Sequence, residues 1–350
     1  MNVIEINEKY LSLIKKAMQI AFSTDSWSVV EKINRGMTES SIYKIQINGK
    51  FCIARISDPE HPHNNLEREY QSMRIAFDSG VSPVVYYTDF ESGIVIMDYV
   101  TSSVLTLEDM KKQNVIKNLS SVIRQLHHGK EFQDCGLIFR RVAMVHENLP
   151  IELKKSRVVK LAMGMKEEIQ ESLDDANDLK PAHADLNPYN ILFNGETFKL
   201  VDWATAAQES FYFDLATCAI FYFYRKNDLE ESFLESYFDR ELDLNEKAKF
   251  YLMKVFVSIY YGVLFLFTSC TESKDFLSES EIYTLPEYSQ FMELISEDNV
   301  DLSDPVSRQK MGFVFLKKAE TEIKDEAFAV SLSQLEKISA QGNTFFRPGM

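Results

Sequence analysis

Residues 183 to 206 read HADLNPYNILFNGETFKLVDWATA. Two short apolar runs, ILF and KLV, flank the turn signal NGE, so the stretch predicts a small β-hairpin. Asp185, Asn190 and Asp202 stand at the strand ends, where side chains leave a sheet instead of entering its core. An amide oxygen and a carboxylate on adjoining loops suit Mg²⁺, a hard cation that takes oxygen ligands and leaves room for phosphate. Asn190 and Asp202 are therefore the candidate metal ligands. Asp185 is left to orient an attacking hydroxyl and take its proton, the division of labour that phosphoryl transfer requires.

Outward from this hairpin the chain changes character. Leu11, Ile14, Met18 and Phe22 recur at helical spacing, which predicts an opening helix over residues 7 to 22. WSVVEKI, SIYKIQI and KFCIARI then read as strands, the last two joined at Asn48-Gly49, a two-residue hairpin turn. Leu66, Tyr70, Met73 and Phe77 mark one face of a helix that Gly80 and Pro83 end. VVYYTDF and GIVIMDYV complete the sheet near residue 98. Beyond it, Val115, Leu119, Val122 and Leu126, then Leu161, Met165 and Ile169, keep a helical period that returns after residue 212. The expectation is an α+β chain: a small antiparallel β-sheet lobe with one inserted helix over 1–98, and a larger, mainly helical lobe over 99–350.

HADLNPYNILF resembles the catalytic loop of the protein-kinase-like fold, and LVDW resembles its metal-binding strand end. Trp203 stands where protein kinases carry Phe-Gly, and no APE-like motif follows. HxDxxxxN followed by hhhDW, with FYFDLATCAIFYF downstream, is the pattern of the aminoglycoside phosphotransferase and choline kinase family. That resemblance implies a bilobal kinase-like fold using ATP and Mg²⁺.

It also implies site residues upstream. Arg55 takes the place of the strand cation on the α- and β-phosphates, where a guanidinium can contact phosphate bidentately. Ile53, two residues earlier, would touch adenine. Glu69 would steady Arg55, with Glu67 competing for that task. The backbone at Asp98 and Val100 would bond the adenine edge, and Leu192 would floor it. In INRGMTESSIY, residues 33 to 43, Thr38, Ser40 and Ser41 could cradle phosphate, though a plain turn fits equally well. His183 and Asp214 are implied to brace the catalytic loop.

Composition excludes several classes. A net charge of −15 over 350 residues argues against nucleic acid as partner. Cys52, Cys135, Cys218 and Cys270 are scattered and form no CxxC pair, so neither a disulfide framework nor a zinc site is expected. His61 and His63, in HPHNN, read as solvated. MNVIEINEKYLSLIKK has early acids and no long apolar core, unlike a signal peptide. The uncharged run Val255 to Thr271 reaches the lower length of a membrane span, yet without basic flanks it reads as a buried helix. A cytoplasmic chain follows.

The acceptor is read from acids in LEESFLESYFDRELDLNE and from aromatics including Trp203, Phe211, Tyr212, Tyr222, Tyr224, Tyr260 and Tyr261. Acids with aromatics suit an ammonium ligand. The leading expectation is a kinase for a small amino alcohol such as choline or ethanolamine, with an aminoglycoside as the close alternative. A protein kinase would need a longer segment after Asp202, and a non-catalytic scaffold would normally have lost one of Asp185, Asn190 or Asp202.

Overall fold

A computed structural model of the chain describes residues 6–33, 40–61, 64–103, 105–133, 136, 138–224 and 226–342. It divides into two compact units, residues 1–134 with 180–208, and residues 135–179 with 209–350.

The first unit opens with α1 (Glu8–Phe22), followed by β1 (Trp27–Ile33), β2 (Ser41–Ile47), β3 (Lys50–Ile56), α2 (Leu66–Asp78), β4 (Val85–Asp89) and β5 (Ile94–Asp98). The five strands form one antiparallel sheet in the order β1-β2-β3-β5-β4. Asn48 and Gly49 both take positive φ, 48° and 78°, as a tight hairpin turn between β2 and β3 requires.

Alternation along the strands sorts the side chains onto two faces. Tyr43, Ile45, Ile47, Cys52, Ala54, Ile56, Ile94 and Ile96 form one core with Ile14, Ala17 and Met18 of α1. The same alternation puts Ile53 and Arg55 on the opposite face. That is how a repeat of two in the sequence delivers a buried cation to the far side of the sheet.

The remaining elements of this unit are α3 (Leu107–Met110), α4 (Gln113–His127), β7 (Ile191–Phe193) and β8 (Phe198–Leu200), with β6 (Leu179–Ala182) and β9 (Ala207–Ser210) crossing its bounds. β7 and β8 are the expected hairpin, in register Ile191 with Leu200 and Phe193 with Phe198. Its turn is held by Asn194 Oδ1, which accepts the Glu196 and Thr197 N–H groups at 3.0 and 2.8 Å. β6 and β9, where the chain passes between units, pair as a second two-stranded sheet. Strands of four residues are too short to show a period in sequence.

The second unit is helical: α5 (Ile138–Glu147), α6 (Ile151–Lys155), α7 (Arg157–Ser172), α8 (Phe211–Tyr222), α9 (Asn227–Phe238), α10 (Leu244–Cys270), α11 (Glu279–Thr284), α12 (Tyr288–Ser296), α13 (Pro305–Ile323) and α14 (Glu326–Gly342). α10 starts at a reciprocal capping box, Asp243 on the Asn245 and Glu246 N–H groups and Glu246 back on the Asp243 N–H. It is long and apolar enough to cross a membrane, yet 78% of its most apolar window is buried inside the protein. Helices α5, α7, α8, α13 and α14 all pack against it. The uncharged run is thus the axis of a helical core.

That packing corrects part of the acceptor reading. Tyr212, Tyr222, Tyr260 and Tyr261 are all core residues of this unit, and Trp203 is fully buried in the first. α8 and the second half of α10 are apolar on nearly every side, so these rings pack within the protein core. Two of the acids are also committed: Glu230 to Lys254 at 2.8 Å, and Glu246 to Arg240 at 2.6 Å.

Candidate functional site

All but one of the catalytic, nucleotide, metal and loop-bracing residues named above lie in the first unit, so this site is built from its sheet, α2 and the hairpin. Asp214 is the exception and sits fully buried in α8 of the second unit. Thr38 lies outside the described residues, as do His63 and Cys135. Ser40 begins the approach to β2, its hydroxyl 2.7 Å from that of Ser57.

Arg55 and Glu69 form a buried ion pair, 8% and 5% exposed, between β3 and α2. The guanidinium also stands 3.9 Å from Asp202 Oδ1, whose side chain is 42% exposed. Burial would lower the Arg55 pKa, but the Glu69 and Asp202 carboxylates outweigh it and push it up. Glu67, on the solvent side of the same helical turn, is exposed. Helix geometry explains the choice: positions 66, 69, 70 and 73 share the inward face, and 67 does not.

The hairpin supplies the rest. Val201 N–H donates to the Asn190 carbonyl at 3.0 Å, which brings Asp202 beside Asn190 across β7 and β8. Asn190 is buried, and its Nδ2 donates to the Asp185 carbonyl at 2.9 Å and to Asp185 Oδ2 at 3.1 Å. With the nitrogen so committed, Oδ1 is the end of the amide available to a cation. His183 is fully buried, its Nε2 2.9 Å from the Val201 carbonyl, while the His183 carbonyl accepts the Thr205 hydroxyl at 2.9 Å.

Ala184 and Asp202 both take left-handed backbone conformations, φ 58° and 69°. Non-glycine residues adopt these at a cost of order 1–3 kcal/mol, and such positions cluster at working sites. Arg68 adds a further tie, its guanidinium donating to the Ala204 carbonyl.

Ile53 and Leu192 are both half-buried. At the end of β5, Asp98 N–H donates to the Val84 carbonyl at 2.8 Å and its side chain accepts the Tyr86 hydroxyl at 3.0 Å. That leaves the carbonyl of Asp98, and not its N–H, for an adenine edge. Val100 follows two residues on, half-buried and outside any strand.

Sequence reading missed Asn187 and Arg68. Asn187 Nδ2 donates to Asp185 Oδ1 at 2.9 Å, which places it inside the cluster. An Asn before Pro in a polar loop is a signal for a side-chain-closed turn, and it was there to be read.

Among the described residues, no group of three His, Cys, Asp or Glu side chains could enclose a metal. One amide oxygen and one half-exposed carboxylate fit Mg²⁺ instead, which keeps water and phosphate oxygens as its other ligands.

Residues 29–251 match the family model described as the phosphotransferase enzyme family. No curated protein matches the sequence. Solved structures share the fold at low identity. A choline/ethanolamine kinase family protein from Mesorhizobium loti is 16% identical at TM-score 0.66, covering 93% of this chain and 98% of its own. A choline kinase from Cryptosporidium parvum is 13% identical at TM-score 0.68, covering 94% and 99%. A spectinomycin phosphotransferase, solved with ADP and spectinomycin, is 13% identical at TM-score 0.52, covering 94% and 98%.

Proposed function

Since the chain belongs to the phosphotransferase enzyme family, we propose that it transfers the γ-phosphate of ATP to a hydroxyl of a small amine-bearing acceptor, choline or ethanolamine first among them. The observation that carries this reading is the Asp185 carboxylate, bonded by Asn190 in the same hairpin that holds Asp202 beside the Arg55–Glu69 pair.

In this reading each group has one task. Asp185 accepts the proton of the acceptor hydroxyl and aims its oxygen for in-line attack. Arg55 lies against the α- and β-phosphates, held straight by Glu69 behind it. Asn190 Oδ1 and Asp202 would hold Mg²⁺, which supplies charge neutralisation at the phosphates. The Asp98 carbonyl and Val100 N–H meet the adenine edge between Ile53 and Leu192, and Ser40 lies along the phosphates, a task the sequence also assigns to Thr38. His183 fixes the backbone at Val201, and Asp214 is a structural support. The enzyme would work in the cytoplasm, where its nucleotide is.

Choline, ethanolamine and spectinomycin are what similarly folded proteins are named for, so an aminoglycoside remains the second reading. A panel of choline, ethanolamine and aminoglycosides with Mg·ATP separates them. Turnover of an amino alcohol supports the first. Turnover of an aminoglycoside alone sinks it, and no Mg-dependent thermal shift with any nucleotide sinks both.

A further inference from the structure

Asn187 has no part in the roles above, yet its amide is pinned at both ends. Oδ1 accepts the Tyr189 N–H at 2.9 Å, and Nδ2 donates to Asp185 Oδ1 at 2.9 Å. A backbone N–H can only donate, so Tyr189 decides which end of this amide is oxygen and turns the NH₂ toward Asp185. The other carboxylate oxygen, Oδ2, accepts from Asn190 at 3.1 Å. Asp185 is therefore gripped from two sides by two amides of its own loop. A carboxylate otherwise turns broadly about χ2. With each oxygen bonded to a different donor, it can turn only by breaking both bonds. Pro188, between Asn187 and Tyr189, fixes its own φ and stiffens the turn that aims the amide.

We infer that Asn187 is a positioning residue for phosphoryl transfer, holding the Asp185 carboxylate in the orientation that receives the acceptor hydroxyl. The inference rests on the reading of Asp185 as the proton acceptor. Asn190 by itself holds only one carboxylate oxygen, and its Oδ1 is the end that would meet the cation.

Asn187→Asp is the discriminating variant. It keeps the oxygen that closes the turn on Tyr189, and it replaces the N–H donor by a second carboxylate oxygen facing Asp185. A residue needed only for the turn would tolerate this change. A positioning residue would not. The expected result is a fall in kcat of about tenfold or more, of the kind a misaimed reactive group produces. KM for Mg·ATP should stay at its wild-type value. Asn187→Ala, which removes both bonds, should lose kcat and also melt lower. An unchanged kcat in Asn187→Asp, or a raised KM with kcat intact, overturns the inference.

A crystal structure of Asn187→Asp answers the question apart from turnover. The Asp185 carboxylate rotated off its wild-type position, with the 187–189 turn intact, supports the inference, and an unmoved carboxylate overturns it. Should the wild-type chain give no Mg-dependent shift with any nucleotide, the kinase reading fails while that structural result still stands.

Discussion

Asp185→Asn keeps the shape of the side chain and removes its capacity to take a proton. Transfer should fall by a factor of about 10² to 10⁴, the usual worth of a positioned acid or base, while nucleotide affinity holds. Asp202→Ala removes a phosphate-side anion instead, so it should weaken Mg·ATP binding itself. Isothermal titration on both variants checks the contrast, and identical nucleotide affinities would remove the distinction between the two roles. The ion pair behind them predicts a stability effect. Glu69→Ala leaves the buried Arg55 guanidinium with the more distant Asp202 as its carboxylate partner among the described residues, so it should cost about 3 kcal/mol, read as a lower urea midpoint. Glu67→Ala, at an exposed position, should be neutral. Spacing brought both acids to the first turn of α2 but could not choose between them. The choice depends on which face of α2 meets β3, and Arg55 lies on another element.

Between elements, α10 and α13 cross closely at Gly262 and Gly312. A Cβ on Gly312 would stand 2.9 Å from the Gly262 carbonyl oxygen, a backbone atom that can yield only if a helix moves. Gly312→Ala should therefore cost about 1–3 kcal/mol and lower the melting temperature, whereas Gly164→Ala, with open space around it, should not. α10 is also tied to the turn Ala176–Asp178 and the residue before it. Lys249 bonds Asp175 at 2.6 Å and Asp178 at 2.7 Å. The Lys249 hydrogen bond holds the Asp175 carboxyl below its ordinary value of 3.8. Burial would lower Lys249, but the two carboxylates outweigh it and hold it above 10.5. The carboxylate contribution is present above pH 3.8 and lost as pH falls through the depressed folded value. The lysine contribution is present below pH 10.5 and lost as pH rises through the raised one. Lys249→Met should lower stability by about 1 kcal/mol near neutrality, with the deficit vanishing in acid as Asp175 is protonated. Urea midpoints at neutral and acid pH check both parts.

Across the whole molecule, the charge of −15 sets a long-range field that favours a cationic acceptor. KM for choline or ethanolamine should therefore rise with added salt, since screening at about 0.1 M already acts within roughly 10 Å. A salt-independent KM would remove the electrostatic part of the acceptor reading. Removal of α10 from a lipid environment should be harmless, because its apolar surface already faces protein, so the chain should remain in solution without detergent. The five strands of the sheet, α1 and α2 were legible because each is written in a local period, and the β7–β8 hairpin because two apolar runs flank a local turn at Asn194-Gly195. β6 and β9 were not, since each is short and their pairing joins segments far apart in the chain.

The residues of the chain, taken in order, determined the sheet's two faces and the spacing of Asp185, Asn190 and Asp202, for these follow from strand alternation and loop length alone. They also determined the family to which the chain belongs. Tertiary structure decided which acid meets Arg55, which end of the Asn187 and Asn190 amides faces Asp185, and that Tyr212, Tyr222, Tyr260 and Tyr261 are core. Each of those is a question of burial or of hydrogen-bond partner. Both are properties of what surrounds a side chain in space, and no period along the sequence records them.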